Sequence, residues 1–282
     1  MTQPSTLFPR LRANTRRAAN AWHRIGFQAA FYGRTIGSIS DVFTSYRLEL
    51  VRLIAQMSLG TGALAVIGGT VVVIGFLTLS AGALIAVQGY HSLSNIGIEA
   101  LTGFVAAYLN VRLIAPLIAG IGLAATIGAG ATAQLGAMRI SEEIDALEVI
   151  GIRTVAYLAS SRVIAGIVVV LPLYSIAVLM SFLAARFGTT AVYGQSPGVY
   201  DHYFNTFLNP MDLLWSCLTA VAMAVVIMLV HTYYGFTASG GPAGVGEAVG
   251  KAVRTSLVVA VLLVLAITLT IYGQSPNLNL SG

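Results

Sequence analysis

The side chains best suited to polar chemistry are clustered, because four of the ten acidic residues in this 282-residue chain fall within residues 140–151, which read ISEEIDALEVIG. Ser141 can cap a helix, and carboxylates are stabilising at the positive end of a helix dipole. Gly151 can end the same helix. The pattern predicts a short acidic helix over residues 141–150.

One face of this predicted helix is apolar, since Ile140, Ile144 and Leu147 recur at a helical spacing. A solvated loop would not require such a stripe, although docking of the helix onto its own bundle would. We favour contact with a cytoplasmic partner protein. The candidate residues for that contact are Glu142, Glu143, Ile144, Asp145, Leu147 and Glu148.

Other motifs do not support catalysis. Residues 194–198 match the nucleophile string G-x-S-x-G, but Pro197 follows the serine and has no N–H for an oxyanion hole. The glycine-rich run before Lys251 is not a phosphate-binding loop, because it has Val245 where glycine is required and Ala252 where Ser or Thr is required. The sequence therefore predicts no catalytic residue, no ATP site and no metal site. The histidines lack metal-ligand spacing: His23, His91, His202 and His231.

The composition of the chain is typical of a protein that folds in a lipid bilayer. Hydrophobic residues make up 57% of it and charged residues only 9%, whereas soluble domains have about 25% charged residues. The apolar runs are unbroken and do not alternate as barrel strands do. We predict an all-α polytopic membrane protein.

Charge-free stretches locate the membrane spans, each of which needs about 20 apolar residues. Pro116 and Pro172 are candidate kink points. A sixth crossing would result if the second stretch were split near Arg112 and Pro116. The five predicted spans lie near 60–90, 100–137, 154–187, 210–236 and 251–273.

Basic residues predict the orientation. Eight arginines precede the first span, whereas the opposite side has essentially Arg186 alone. Excess Lys and Arg mark the cytoplasmic side, which places the N-terminus inside and the C-terminus outside. Topology and anionic lipid thus account for the net charge of +5, and no nucleic-acid partner is expected.

The segment 20–55 is predicted to be an amphipathic helix lying in the membrane interface. A soluble helix against a partner protein is the alternative. Residues 1–19 resemble a basic, loosely ordered tail, 56–275 form the transmembrane domain and 276–282 form an outer tail. The apolar stripe of the helix consists of Trp22, Ile25, Ala29, Tyr32, Ile36, Ile39, Phe43, Tyr46, Leu50 and Leu53.

The outer loop 188–210 contains two helix-start signals, Ser196-Pro197 and Asn209-Pro210. They predict a short helix between them at the outer interface, where aromatic rings partition well. Its predicted aromatic face consists of Tyr200, Tyr203, Phe204 and Phe207.

Polar and small residues within the spans are further candidates for a substrate path or a dimer contact. Arg112 lies inside an apolar segment, and Glu99, the nearest acidic residue in sequence, is its candidate partner. Arg162 is close enough to the cytoplasmic end of its span to snorkel. A stripe of small residues suits close helix packing and could form a dimer seam, an intrasubunit contact or the wall of a lipid path. The stripe consists of Gly120, Ala124, Gly128 and Thr132.

Two motifs make the chain recognisable. Residues 133–139 (AQLGAMR) followed by 142–151 (EEIDALEVIG), and residues 240–246 (GGPAGVG), resemble the signatures of the MlaE/YrbE permease family. Within it the chain is similar to the YrbE subunits of mycobacterial Mce lipid-import systems. The resemblance covers about residues 50–275.

The resemblance implies a permease subunit of an ABC-type lipid transporter in the inner membrane. Such permeases pair with an identical or paralogous permease, bind a cytoplasmic ABC ATPase dimer that holds ATP and Mg, and carry a periplasmic Mce-protein assembly. The segment matching 142–151 would be the coupling helix. This chain departs from the family at Gln134, where an acidic residue is common, so any charge-dependent role there is absent or supplied by a paralogous partner.

Two other functional classes are alternatives. A secondary transporter driven by an ion gradient would predict paired acidic groups at mid-membrane, and the predicted spans lack them. A structural scaffold for an outer assembly would leave the acidic helix without a role. Membrane lipids are expected partners in every case.

Overall fold

A computed structural model describes residues 9–59 and 65–272, and within them every regular element is helical, which confirms the all-α class. The helices are α1 (Pro9–Gly37), α2 (Ile39–Ser45), α3 (Arg47–Leu59), α4 (Ala65–Ser94), α5 (Thr102–Leu109), α6 (Ala115–Leu123), α7 (Ala129–Ile140), α8 (Glu143–Val149), α9 (Ser161–Phe187), α10 (Pro197–Phe207), α11 (Pro210–Phe236) and α12 (Gly241–Tyr272).

Five helical segments of the described chain are long and apolar enough to cross a membrane, as predicted. The second, of 42 residues, runs without a break through Arg112 and Pro116. At 1.5 Å per residue it is about 63 Å long, roughly twice the hydrocarbon thickness. The five segments are Gly69–Ser94, Glu99–Ile140, Val155–Val192, Pro210–Phe236 and Gly241–Ile271.

Wide π-type turns occur within the continuous second and third helical spans, at 110–114, 124–128, 155–160 and 188–192. The first of them ends two residues before Pro116, whose missing N–H cannot complete a regular α-helical turn. By contrast, α9 continues through Pro172 without a change of helix type.

The bundle is built around α9, which packs against α3, α4, α6 and α11. Close approach depends on glycine: a Cβ on Gly82 of α4 would lie 2.3 Å from the backbone oxygen of Ser181 in α9. Helices α7, α11 and α12 form a second group at the end of the bundle that includes α8.

The N-terminal region differs from the single helix predicted over 20–55. Helix α1 already begins at Pro9, so most of the predicted tail is helical, and breaks at Ser38 and Tyr46 separate α1, α2 and α3. Leu50 and Leu53 are buried with Ile164 of α9. Other residues of the predicted stripe remain exposed: Trp22, Ile25, Ile36 and Phe43.

The short helix predicted between Ser196 and Pro210 is confirmed as α10, and it docks onto the bundle. Tyr200 is buried against Phe204, and Gly103 of α5 allows the close approach. The predicted Asn209 cap accepts a hydrogen bond from the backbone N–H of Met211, whereas Ser196 makes no side-chain cap. Of the two predicted N-cap residues, only Asn209 therefore caps its helix with its side chain.

An ion pair secures α10 to the end of α9. The Arg186 guanidinium donates two hydrogen bonds of 2.8 Å to Asp201, which holds the pKa of that carboxyl below its usual range. The pentapeptide YGQSP at residues 193–197 leads into α10 and recurs at residues 272–276. The second copy falls largely outside the described residues.

The partner of Arg112 is Asp212 and not the predicted Glu99. The guanidinium donates to the Asp212 carboxylate from Nε at 3.2 Å and from Nη2 at 2.8 Å, and it also lies 4.0 Å from the centre of the Tyr108 ring. Asp212 is 100 residues away in sequence. Only the packing of α11 against the second span brings the two side chains together.

We expect Asp212→Asn to lower the free energy of unfolding by about 1–3 kcal/mol, because it removes the charge facing a largely buried guanidinium. Thermal unfolding of the purified protein would measure the change. The double variant Arg112→Leu/Asp212→Leu should recover most of the loss. An equal loss in Glu99→Gln, with none in Asp212→Asn, would instead support the pairing predicted from sequence.

Candidate functional site

The predicted acidic helix exists, but it begins differently from the prediction. Ser141 ends α7 instead of capping α8, since its hydroxyl lies 3.0 Å from the backbone oxygen of Ala137. Glu142 takes the N-cap position with a φ of +60°, the one non-glycine residue with positive φ in the described chain. Such strained backbone positions cluster at functional sites. Gly151, with a φ of +85°, ends the segment as predicted.

The apolar stripe of α8 packs onto the protein itself. Ile144 is fully buried with Leu135 of α7 and Leu158 of the third span, and Leu147 is half-buried against the same cluster. Ile144 is therefore covered by the bundle instead of forming the predicted contact with a partner, whereas part of the Leu147 side chain remains exposed. Docking onto the bundle, the alternative considered from sequence, covers the stripe.

A different apolar pair is exposed at the end of α8. The side chain of Val149 is 87% exposed and that of Ile150 is 71% exposed. They follow directly in the sequence after the acidic residues, and all of them lie at one end of the bundle. We call Val149, Ile150 and the exposed acids Glu142, Glu143 and Glu148 the α8 patch.

Polar contacts hold the α8 patch in place. The Thr154 hydroxyl donates to Glu148 at 2.6 Å, and Asp145 pairs with Arg139 of α7. Arg153, just after α8, lies 2.7 Å from the carboxylate of Asp41 in α2. Both ends of α8 are therefore tied to neighbouring helices.

The chemistry of the α8 patch is suited to docking. Exposed Val and Ile side chains gain free energy when a partner removes them from water, and carboxylates beside them can pair with basic groups. Glu142 and Glu143 have no ion pair within the described part of the chain. The arrangement is suited to insertion of α8 into a groove of a partner protein that has basic residues at its edge.

Comparison with known proteins identifies the scaffold that carries this patch. The profile of the family described as Permease MlaE matches residues 59–270, about three quarters of the chain. The chain belongs to the MlaE permease family. The match includes both motifs that the sequence analysis singled out.

Relatives of this MlaE-family permease span most of its length. A probable ABC transporter permease protein of Rickettsia felis is 26% identical over 253 residues, which is 86% of this chain and 94% of the relative. A chloroplast protein of Arabidopsis thaliana, named trigalactosyldiacylglycerol 1, is 29% identical over 63% of this chain and 51% of its own length. A probable ABC transporter permease of Synechocystis is 26% identical over 57% of this chain and 61% of its own.

Arg162 of this permease does not snorkel as predicted. It is 5% exposed, and its Nη1 donates to the Leu158 carbonyl at 3.0 Å. Its Nη2 reaches Gln134 Oε1 at 3.5 Å, and its Nε has no hydrogen-bond partner among the described residues. Gln134, the position that departs from the family pattern, is therefore the neutral neighbour of a buried cation.

We expect Gln134→Glu to stabilise the protein, because a carboxylate would form a charge-assisted bond with Arg162. A gain of about 1 kcal/mol corresponds to a rise of roughly 2–4 °C in the melting temperature. Ala137→Glu, which adds the same charge on an exposed position of α7, serves as the control. An equal rise in that control would mean that the added charge acts without Arg162.

The small-residue stripe packs inside the subunit. A Cβ on Gly120 would lie 2.2 Å from Met223 Cε, and one on Gly128 would lie 2.7 Å from His231 Cδ2. Thr132 is buried and contacts His231, and Ala124 is fully buried in the core. This is the intrasubunit contact, one of the three alternatives left open by the sequence.

Sequence reasoning missed the role of His231 in this packing. Its Nδ1 lies 2.7 Å from the Thr132 hydroxyl and its Nε2 lies 3.1 Å from the Ser256 hydroxyl, which links α7, α11 and α12. An isolated histidine in an apolar run was the available signal, since a buried polar group requires hydrogen-bond partners.

Proposed function

We propose that this chain is the permease subunit of an ABC-type transporter that moves lipids or similar amphiphiles, and that the α8 patch is its docking site for the ATPase. The observation that carries the proposal is the exposed pair Val149 and Ile150 on a helix that is otherwise anchored to the bundle. A helix that is fixed to the bundle can transmit a movement of the partner to the spans, whereas a flexible loop cannot.

The energy source is proposed to be a separate chain. ABC permeases work with ATPase subunits, and ATP and Mg would bind to that partner, since the glycine-rich run of this chain departs from a phosphate-binding loop at Val245 and Ala252. No cofactor is assigned to this chain. The exposed acids of the α8 patch would face basic groups at the rim of the ATPase groove.

Lipid as cargo is supported by the name of one relative, and the open faces of two spans leave room for a neighbour in the membrane. The Arabidopsis relative carries the name of a diacylglycerol lipid. The first and fifth spans have the smallest buried shares, 33% and 22% of their most apolar windows, so their apolar faces remain open for lipid or for a second permease subunit. An identical or paralogous permease and an outer Mce assembly are the further partners that we propose.

Purification of the tagged chain from its native membrane tests the proposal. Mass spectrometry should find an ABC ATPase, a second permease and Mce proteins in fixed ratios, together with bound lipid. A chain that purifies without an ATPase, yet still transports lipid in reconstituted vesicles, would contradict it. Lipid transport driven by an ion gradient alone would favour the secondary-transporter class.

We also propose that the N-terminus and α8 face the cytoplasm and that the C-terminus lies outside the inner membrane, as the arginine distribution predicts. A cysteine at Ser281, on a Cys217→Ser background, should react with a membrane-impermeant thiol reagent in intact cells. A cysteine at exposed Glu143 should react only after the inner membrane is opened. The reverse labelling pattern would invert the topology.

A further inference from the structure

A cavity of about 600 Å³ opens where α1, the end of α11 and the start of α12 meet. We propose that it binds the headgroup of a zwitterionic phospholipid, one with a phosphodiester and an ammonium group, from the membrane leaflet on the α8 side. The site is separate from the α8 patch and does not depend on the proposed function. Its principal lining residues are Ile25, Gln28, Tyr233, Tyr234, Glu247 and Lys251.

The cavity lies at the depth of lipid headgroups. The fifth span has 31 residues, about 46 Å of helix for roughly 30 Å of hydrocarbon. Its charged residues all occur in its first half, the last of them Arg254, so its first turns extend out of the hydrocarbon. Gly136 of α7 lies close to Val245 and Ala238, which places the cavity at the same end of the bundle as α8.

Its walls are held together by aromatic packing between α1 and α11. The Phe31 ring lies 5.7 Å from the Tyr233 ring and 5.6 Å from the Phe236 ring, and the Tyr32 ring lies 5.9 Å from that of Tyr233. Tyrosine presents an apolar ring and a polar hydroxyl, as interfacial residues do. The volume is within the range of small-molecule sites, so a headgroup fits.

The charges of the lining select the class of headgroup. Glu247 and Lys251 lie one turn apart on α12, with 2.7 Å between Oε1 and Nζ. Lys251 can pair with a phosphodiester, and Glu247 together with the tyrosine rings can hold an ammonium group. An anionic headgroup without an amine would place a second negative charge beside Glu247. Exposed pairs such as Glu247–Lys251 contribute little by themselves, so a ligand can exchange for their mutual bond.

Lipid retention tests the proposal on the purified full-length protein. The protein is reconstituted in nanodiscs containing equal amounts of phosphatidylethanolamine and phosphatidylglycerol, transferred to detergent, and the lipid that remains bound is quantified by native mass spectrometry. We expect retained phosphatidylethanolamine to exceed phosphatidylglycerol. The variant Glu247→Gln/Lys251→Met should retain about tenfold less phosphatidylethanolamine than the wild type.

Matched controls keep the test decisive. Arg34→Met removes an exposed basic charge from α1 outside the cavity and should retain lipid as the wild type does. Glu247→Gln alone should weaken the preference for the amine-bearing lipid, which provides a second variant if the double one unfolds. Equal retention of both lipids, unchanged retention in the double variant, or equal loss in Arg34→Met would overturn the proposal. Millimolar glycerophosphoethanolamine, which has the same headgroup without acyl chains, should displace the retained lipid, and retention that it leaves unchanged would overturn the headgroup contact.

Discussion

Val149→Asp/Ile150→Asp is expected to abolish association with the ATPase while leaving the permease folded. Both side chains are exposed on this chain, and surface substitutions rarely change stability by more than about 0.5 kcal/mol. In a complex, the two new carboxylates would be buried without partners, at a cost that reduces affinity by more than about tenfold. Co-purification of the ATPase and lipid uptake measure the effect.

Two controls separate shape from charge in this experiment. Val149→Ile keeps the apolar surface and should bind normally. Val192→Asp places the same charge on another exposed apolar residue, 67% exposed, at the end of the third span away from α8, and should leave the ATPase bound. Reversing Glu142 and Glu143 to Lys should weaken binding by at most about 1 kcal/mol for each exposed pair, in a salt-sensitive way. A normal ATPase complex in the double aspartate variant would show that α8 is not the coupling element.

Ile144→Asp is expected to destabilise the permease itself, by about 3–5 kcal/mol, because the new carboxylate would lie in a fully buried apolar cluster. Release of α8 should expose Arg139 and Arg153, which flank it in sequence, to trypsin. The rate of cleavage at these two arginines measures the effect. Leu147→Asp should act in the same direction but more weakly, since Leu147 is only half-buried.

Ile144→Leu is the control for this prediction, since volume-conserving apolar exchanges usually cost less than about 1.5 kcal/mol. The two aspartate experiments therefore distinguish the two faces of one short helix. If Ile144→Asp removed the ATPase without changing protease sensitivity, Ile144 would face the partner, as the sequence analysis predicted.

The sequence by itself determined the class of the protein, the positions of its apolar stretches and its family, whereas the continuous helix through Arg112 and Pro116 excludes the sixth crossing. Each span must be long, apolar and helical, because no water in the hydrocarbon core can satisfy an exposed backbone group. These requirements apply to each segment separately, so they can be recognised in the sequence. Capping and turn signals at Asn209 and Gly151 were also readable, since they depend on neighbouring residues in the chain. The MlaE motifs lie in contiguous segments for the same reason.

The tertiary structure decided which side chains meet. Arg112 was assigned to Glu99 because sequence distance was the available guide, yet the packing of helices brings it to Asp212. For α8, periodicity located the apolar stripe correctly but could not tell whether the bundle or a partner covers it. The bundle covers Ile144 and leaves Val149 and Ile150 in the open. Burial and ion pairing are set by contacts between segments far apart in the chain, and these contacts leave no local periodic signal in the sequence.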